Sequence, residues 1–374
     1  MAVAGRKPQR DSGERSPRVA VQPYAGLTDV IGHLPAVASL RQQMSSGTLS
    51  HAYWVSGPPQ VGKTTLALAM AWELLGAANW PGGLLSHPDL WLDDGEGTLK
   101  IERIRLSDSD PEAEEGPTLQ HFLSLSAFAG SAKVAVIGNA ERLSLPAANS
   151  LLRLLEEPRP NTMIWLCTAR PDSEHLPSTL RSRCQQLLLG PVEADAIAEW
   201  LVSQLGIRRE AARVAAAICL GRPGVALGLA ADRHLARRAA EQLEQLLDCP
   251  GQSSSALLEL SRKLAERGTD REVTRGALRV WASFLRDCCL EAAGVSQLSR
   301  WPDQAEQAQE WAGRLGPEGC SRRYDLALDA LARLDEMATP RLVLDRFLLL
   351  AFGKELTGPA GGDRQPILGA SNQR

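Results

Sequence analysis

The chain has 374 residues, 44% of them apolar, and a formal net charge of −3 at pH 7. This length exceeds one ordinary domain core, so we expect two or three globular domains. The sequence has no apolar run of about 18 residues and no apolar stretch near its charged N-terminus, which argues against a membrane span and a secretory signal. We therefore expect a cytoplasmic protein, and the small net charge argues against a general nucleic-acid binder.

The cysteine spacing argues against a zinc site. None of the seven cysteines belongs to a Cys-x-x-Cys pair, the spacing that zinc sites and dithiol redox sites use. We therefore expect free thiols in a reducing compartment and no bound zinc.

Apolar patterns in the first half of the chain predict alternating strands and helices. Residues 1–24 are polar, basic and proline-containing, and we expect them to be a disordered tail. Short apolar runs then predict buried strands at residues 52–56, 90–92, 133–137 and 163–167. Helical spacing is found at residues 34–45, 66–75 and 143–155, whereas the acidic residues 108–115 indicate a solvated surface insertion. This alternation predicts an α/β domain over residues 25–190 with a largely parallel sheet.

The second half of the chain shows only helical patterns. Residues 191–240 are alanine-rich and are interrupted at Gly221-Arg222-Pro223-Gly224. Residues 241–356 are again helical, with breaks near 250, near 268 and at 313–319. We therefore expect a small helical domain, then a larger helical domain, and a loose glycine-rich tail over residues 357–374.

Residues 57–65 (GPPQVGKTT) have the spacing of a phosphate-binding loop between a strand and a helix. Gly57 and Gly62 allow the backbone to approach a phosphate closely. Lys63 supplies a charge for the terminal phosphates, Thr64 supplies a hydroxyl for Mg²⁺, and Thr65 continues the helix start. We therefore expect ATP or ADP with Mg²⁺ to bind at this loop.

The acids that ATP hydrolysis requires are absent from their expected place. A hydrolysing P-loop protein carries a magnesium-binding acid at the end of a second strand, and many carry an adjacent glutamate. Here the strand at 133–137 is followed by Gly138 and Asn139, neither of which has a carboxylate. Glu141 lies further along, where only a rearranged loop brings it near the phosphates. We therefore expect little or no intrinsic ATPase activity.

Several motifs resemble one protein family. Residues 145–158 (LPAANSLLRLLEEP) and 176–185 (LPSTLRSRCQ), with Val-Ile-Gly-His at 30–33 and His-Ala-Tyr at 51–53, resemble the clamp-loader branch of the AAA+ ATPases. The resemblance extends over residues 28–190 and, more weakly, over residues 221–227 (GRPGVAL). It implies an AAA+ domain, a helical lid domain and an all-α collar domain for oligomerisation.

The resemblance also implies a function. The family works in the bacterial DNA polymerase III holoenzyme, where a hetero-pentameric ring of motor and delta-like subunits loads the sliding clamp onto primer–template DNA. The match implies the end subunit of this ring, in which Arg183 of Ser182-Arg183-Cys184 is an arginine finger for ATP on a neighbouring motor subunit. Arg181 is an alternative finger. Thr168 matches a polar sensor of nucleotide at a strand end.

The chain also departs from the family pattern. The four-cysteine zinc module of many relatives is missing from residues 76–87. The place of the motor subunit's sensor arginine is taken by Gly224, with Arg222 two residues early. The alternative function is an ATP-hydrolysing motor subunit, against which Gly138, Asn139 and Gly224 argue.

Overall fold

The computed structural model describes residues 26–95, 97–105, 117–169, 176–266 and 271–353. The predicted tails and the acidic stretch at 108–115 lie outside these residues. The chain forms two compact units, one running to Gly57 and resuming over Gly62–Leu189, the other comprising Pro58–Val61 and the chain from Gly190 onward. A division of the second unit into lid and collar domains stays a prediction.

The first unit is built on a parallel sheet with the strand order β2-β3-β4-β1-β5. The strands are β1 (Ala52–Ser56), β2 (Leu90–Asp93), β3 (Lys133–Ile137), β4 (Thr162–Thr168) and β5 (Gln185–Leu188). Every neighbouring pair is parallel, which confirms the predicted fold class. The sequence analysis missed β5 because it has the alternating exposure of an edge strand, with Leu188 exposed, and not a buried apolar run.

Among the described residues, six α-helices accompany the sheet: α1 (Leu34–Ser46), α2 (Lys63–Leu74), α3 (Ile101–Ile104), α4 (Leu119–Ser124), α5 (Leu145–Glu156) and α6 (Ser178–Arg181). Helix α2 is apolar on all sides, and its residues from Leu66 to Ala71 are buried. Helix α5 begins with Ser144, whose side chain accepts a hydrogen bond from the Ala147 N–H. Apolar side chains of α5 and of the central strands share one core, which fixes the ends of the strands where polar residues follow.

The second unit contains only helices among its described residues: α7 (Ala194–Leu205), α8 (Arg209–Ile218), α9 (Pro223–Ala230), α10 (Leu235–Leu247), α11 (Ser254–Glu266), α12 (Arg271–Ala292), α13 (Ala305–Asp335) and α14 (Pro340–Phe352). Helix α13 is interrupted at Gly316, which has a φ of 65° and precedes Pro317. An edge-on ring pair, Phe284 against Trp311 with centroids 5.5 Å apart, joins α12 to α13. In the ranges that the structure describes, no helix is long and apolar enough to cross a membrane.

Candidate functional site

The predicted phosphate loop connects the end of β1 to the start of α2. Gly57 lies so close to the chain after β5 that a Cβ atom there would be 2.3 Å from the Leu189 carbonyl oxygen. Gly62 has a φ of 113°, a backbone conformation that favours glycine. Both glycines of the motif are therefore required by the local backbone, and α2 begins directly after the second one.

Lys63 is folded into the loop and is only 7% exposed. Its Nζ donates a hydrogen bond to the Gly57 carbonyl oxygen at 2.9 Å. Burial lowers the pKa of Lys63, while the neighbouring Cys167 and Glu141 oppose that shift. The ammonium group thus lies in a dry site, where an anion would interact with it more strongly than in water.

The threonines of the predicted site lie at the same carboxyl edge of the sheet. The Thr64 Oγ1 is 3.5 Å from the Gly138 carbonyl oxygen, and Thr65 is half-buried in the first turn of α2. Thr168 ends β4, is fully buried, and lies opposite Ser56, the last residue of β1. Cys167 precedes it, and burial raises the pKa of its thiol to about 12, so the thiol is neutral at pH 7.

The chain that follows β2 lies close to Gly138 and occupies the space that a magnesium-binding acid at position 138 would need. A Cβ atom at Gly138 would lie 3.1 Å from the Asp94 Cβ and 3.3 Å from the Thr64 Oγ1. Asp94 follows β2, and its side chain is exposed. Asn139 is exposed as well. A larger residue at position 138 would therefore require the chain after β2 to move.

Glu141 reaches the same edge by a route that sequence reasoning did not anticipate. It lies in a 3₁₀ turn (Ala140–Arg142) after β3. Its Oε1 accepts a hydrogen bond of 3.2 Å from the Ala169 N–H, directly after β4. Its Oε2 is buried without a hydrogen-bond partner among the described residues. The short turn brings this carboxylate back towards the loop, and an acid one turn beyond a strand end was the only signal in the sequence.

A second site, the arginine turn, consists of Ser182, Arg183 and Cys184 after α6. The Arg183 Nη2 is 2.6 Å from the Glu156 Oε1, and the side chains are 35% and 48% exposed. Arg183 Nη1 also donates to the Thr179 carbonyl oxygen at 2.9 Å. Cys184 packs against the apolar core, and burial raises the pKa of its thiol to about 12. Glu156 was not among the predicted site residues, because a pair so distant in the chain leaves no local pattern.

The arginine turn and the phosphate loop lie at opposite edges of the sheet. Strands β1 and β5 are parallel neighbours, with Tyr53 paired to Gln185 and Ser56 paired to Leu188. The loop follows the carboxyl end of β1, whereas Arg183 precedes the amino end of β5. Three strand residues at about 3.3 Å each separate the two edges by roughly 10 Å. The structure therefore does not bring Arg183 together with Lys63 and Thr64.

Within the second unit, the position of the sensor arginine is closely packed. The Gly224 N–H donates to the Gln60 carbonyl oxygen at 3.0 Å, both residues belonging to that unit. A Cβ atom at Gly224 would be 3.0 Å from the Gln60 Cβ. Arg222 precedes α9, and its Nε donates to the Cys219 carbonyl oxygen. Burial lowers the pKa of Arg222.

The described residues contain no group of three or more histidine, cysteine, aspartate or glutamate side chains that could hold a metal ion. A nucleotide-bound Mg²⁺ needs fewer protein ligands, because phosphates and water complete its shell. Thr64 provides a hydroxyl, and the buried Oε2 of Glu141 is an orphaned anionic oxygen at the same edge. These residues fit a magnesium–nucleotide complex.

Comparison with known proteins identifies the first unit. Residues 32–193 match the family model described as "DNA polymerase III, delta subunit". This region belongs to that family. The delta' subunit of Escherichia coli is 30% identical over 212 residues, covering 52% of this chain and 59% of the relative. The delta' subunit of Bacillus subtilis is 32% identical over 176 residues, covering 44% of this chain and 50% of the relative.

The E. coli tau subunit is also similar, at 31% identity over 178 residues, which cover 46% of this chain and 26% of that subunit. The matched segment thus spans little more than half the length of the delta' relatives. The resemblance to the clamp-loader branch, and within it to delta-prime subunits, is confirmed.

Proposed function

We propose that the chain is a delta-prime-like subunit of a DNA polymerase III clamp loader and acts by presenting Arg183 to ATP on a neighbouring motor subunit. The observation that carries this proposal is the placement of Arg183 and the phosphate loop at opposite edges of the parallel sheet. Because Arg183 lies at the sheet edge opposite its own loop, we expect a phosphate that it contacts to belong to another molecule.

The local contacts of Arg183 suit this role. Its guanidinium is half-exposed and pairs with an exposed carboxylate, that of Glu156. Such surface pairs contribute about 0–1 kcal/mol, so exchanging Glu156 for a γ-phosphate costs little. A planar guanidinium donates two parallel hydrogen bonds to phosphate oxygens and stabilises the charge that develops on them. Half-buried Cys184 packs against the apolar core and so holds the backbone of the turn in place.

The chain's own loop has a different role in this proposal. Lys63 and Thr64 allow it to bind ATP or ADP with Mg²⁺, whereas Gly138 and Asn139 deprive it of the acids used for hydrolysis. The helices of residues 241–356 serve as the collar that joins the motor and delta-like subunits in a five-membered ring, and residues 191–240 form the lid. Contact with the sliding clamp and with primer–template DNA occurs through the assembled complex.

The test is ATP turnover by a loader reconstituted with its partner subunits and either the wild-type chain or the Arg183→Ala variant. The site beside this chain should slow by about 10³-fold or more, so that total DNA-stimulated turnover falls to that of the remaining sites. The matched control is Arg153→Ala, which removes an exposed arginine of α5 and should leave turnover unchanged. Normal assembly with unchanged turnover for Arg183→Ala would exclude the trans role.

A further inference from the structure

Glu141 is a half-buried acid of the first unit, and one of its two carboxylate oxygens is buried without a hydrogen bond. Its Oε1 is held by the Ala169 N–H at 3.2 Å, while its Oε2 is buried and has no hydrogen-bond partner in the described part of the chain. A carboxylate oxygen that is buried without a hydrogen bond is unfavourable for the folded chain. A folded protein retains such a group where a ligand completes its interactions.

The surroundings of this oxygen indicate which ligand that is. Ala169 follows Thr168, which pairs in the sheet with Ser56, the residue directly before the phosphate loop. The Glu141 carboxylate therefore lies at the sheet edge where the loop would hold phosphates. A carboxylate next to a polyphosphate is repulsive unless a cation lies between them. Mg²⁺ is the cation that takes oxygen ligands from carboxylate, hydroxyl and phosphate together.

We propose that Glu141 is the carboxylate that faces the magnesium ion of a nucleotide bound at residues 57–65, taking the role that Gly138 cannot perform. This inference rests on the nucleotide-binding part of the proposed function. Thr64 would supply a hydroxyl ligand to the same ion, directly or through a bound water. Lys63 turns from the Gly57 carbonyl oxygen to the phosphates, and the ion offsets the remaining negative charge of Glu141.

The alternative carboxylate at this edge is Asp94. Its Cβ would be the nearest neighbour of a side chain at Gly138, at 3.1 Å. Asp94 is exposed to solvent, however, so hydration already satisfies its charge. The Oε2 of Glu141 is buried and has no hydrogen bond in the described chain, although the Lys63 ammonium is an electrostatic neighbour of the carboxylate. We therefore assign the ion to Glu141 rather than to Asp94.

The test is calorimetric titration of the full chain with ADP, in MgCl₂ and in EDTA. For wild type, Mg²⁺ should tighten ADP binding about tenfold or more, which corresponds to about 1.4 kcal/mol. For Glu141→Gln the Mg²⁺ effect should shrink to less than about threefold, and affinity in EDTA should be equal or higher because the repulsion is gone. The glutamine keeps an oxygen for the Ala169 N–H, and thermal melting checks that the variant is folded.

Two further variants make the result specific. Glu157→Gln, at an exposed glutamate directly after α5, should retain the full Mg²⁺ effect. Loss of that effect in Asp94→Asn but not in Glu141→Gln would overturn the assignment, as would an equal effect in wild type and Glu141→Gln. A wild-type chain that binds no ADP in either buffer overturns both this inference and nucleotide binding at the loop. The role of Arg183 is tested separately in the assembled loader.

Discussion

Two carboxylates of the first unit, fully buried Asp89 and half-buried Glu141, have contrasting hydrogen bonds. Asp89 is fully buried and accepts hydrogen bonds of 2.8–2.9 Å from the three backbone N–H groups of residues 128–130. The Lys133 Nζ donates a fourth at 3.1 Å. Glu141, in contrast, has one N–H partner and one buried oxygen without any in the described chain. A buried carboxylate whose oxygens all accept hydrogen bonds stabilises the fold, whereas a buried carboxylate oxygen without a hydrogen bond indicates a ligand site.

The hydrogen bonds of Asp89 have a structural role in the sheet. Asp89 directly precedes β2, and Lys133 begins β3, so their pair fixes the start of two neighbouring strands. Burial raises the pKa of Asp89, but the three backbone N–H groups and Lys133 outweigh it and lower the pKa to about 2. The pair therefore fixes the starting positions of β2 and β3. The opposite ends of these strands form the sheet edge at which Gly138 and Glu141 lie.

The largest effect is expected from Asp89→Asn. This variant leaves the Lys133 ammonium buried without its carboxylate, and we expect a loss of about 3–5 kcal/mol in the free energy of unfolding. Urea unfolding followed by circular dichroism measures it. Glu141→Gln is the matched control and should lose less than about 1 kcal/mol, because its Oε2 has no bond to lose. Equal losses of unfolding free energy in Asp89→Asn and Glu141→Gln would contradict the difference proposed between the two carboxylates.

A smaller effect is expected from pH. The pKa of Asp89 lies at about 2 in the folded chain, below its ordinary value of 3.8. A lowered folded pKa contributes stability that is fully present above pH ~4 and is lost as pH falls through ~2. The contribution is about 2 kcal/mol, at about 1.4 kcal/mol for each pKa unit. Urea unfolding of wild type and Asp89→Asn between pH 6 and pH 2 should show their stability difference shrink with acid; a constant difference would contradict this.

The sequence predicted those features that depend on consecutive residues. The loop at 57–65, four of the five strands and the absence of acids at Gly138 and Asn139 were visible because each is a local pattern. Two contacts were not visible in the sequence: the pairing of Arg183 with Glu156, and the contact of Glu141 with the end of β4. Both join segments that are distant in the chain and that the parallel strands bring together. The role of Asp89 was not visible either, because its four donors lie about 40 residues further along the chain.

In the proposed function, the neighbouring motor subunit hydrolyses ATP, whereas this chain binds nucleotide without hydrolysing it. The most direct test of this proposal is DNA-stimulated ATP turnover by reconstituted loaders that differ only in this chain, comparing Arg183→Ala with Lys63→Ala. The proposal predicts that Arg183→Ala removes the turnover of one site, whereas Lys63→Ala leaves total turnover close to wild type. The reverse outcome, with turnover lost in Lys63→Ala and retained in Arg183→Ala, would show that this chain hydrolyses ATP itself and would contradict the trans role.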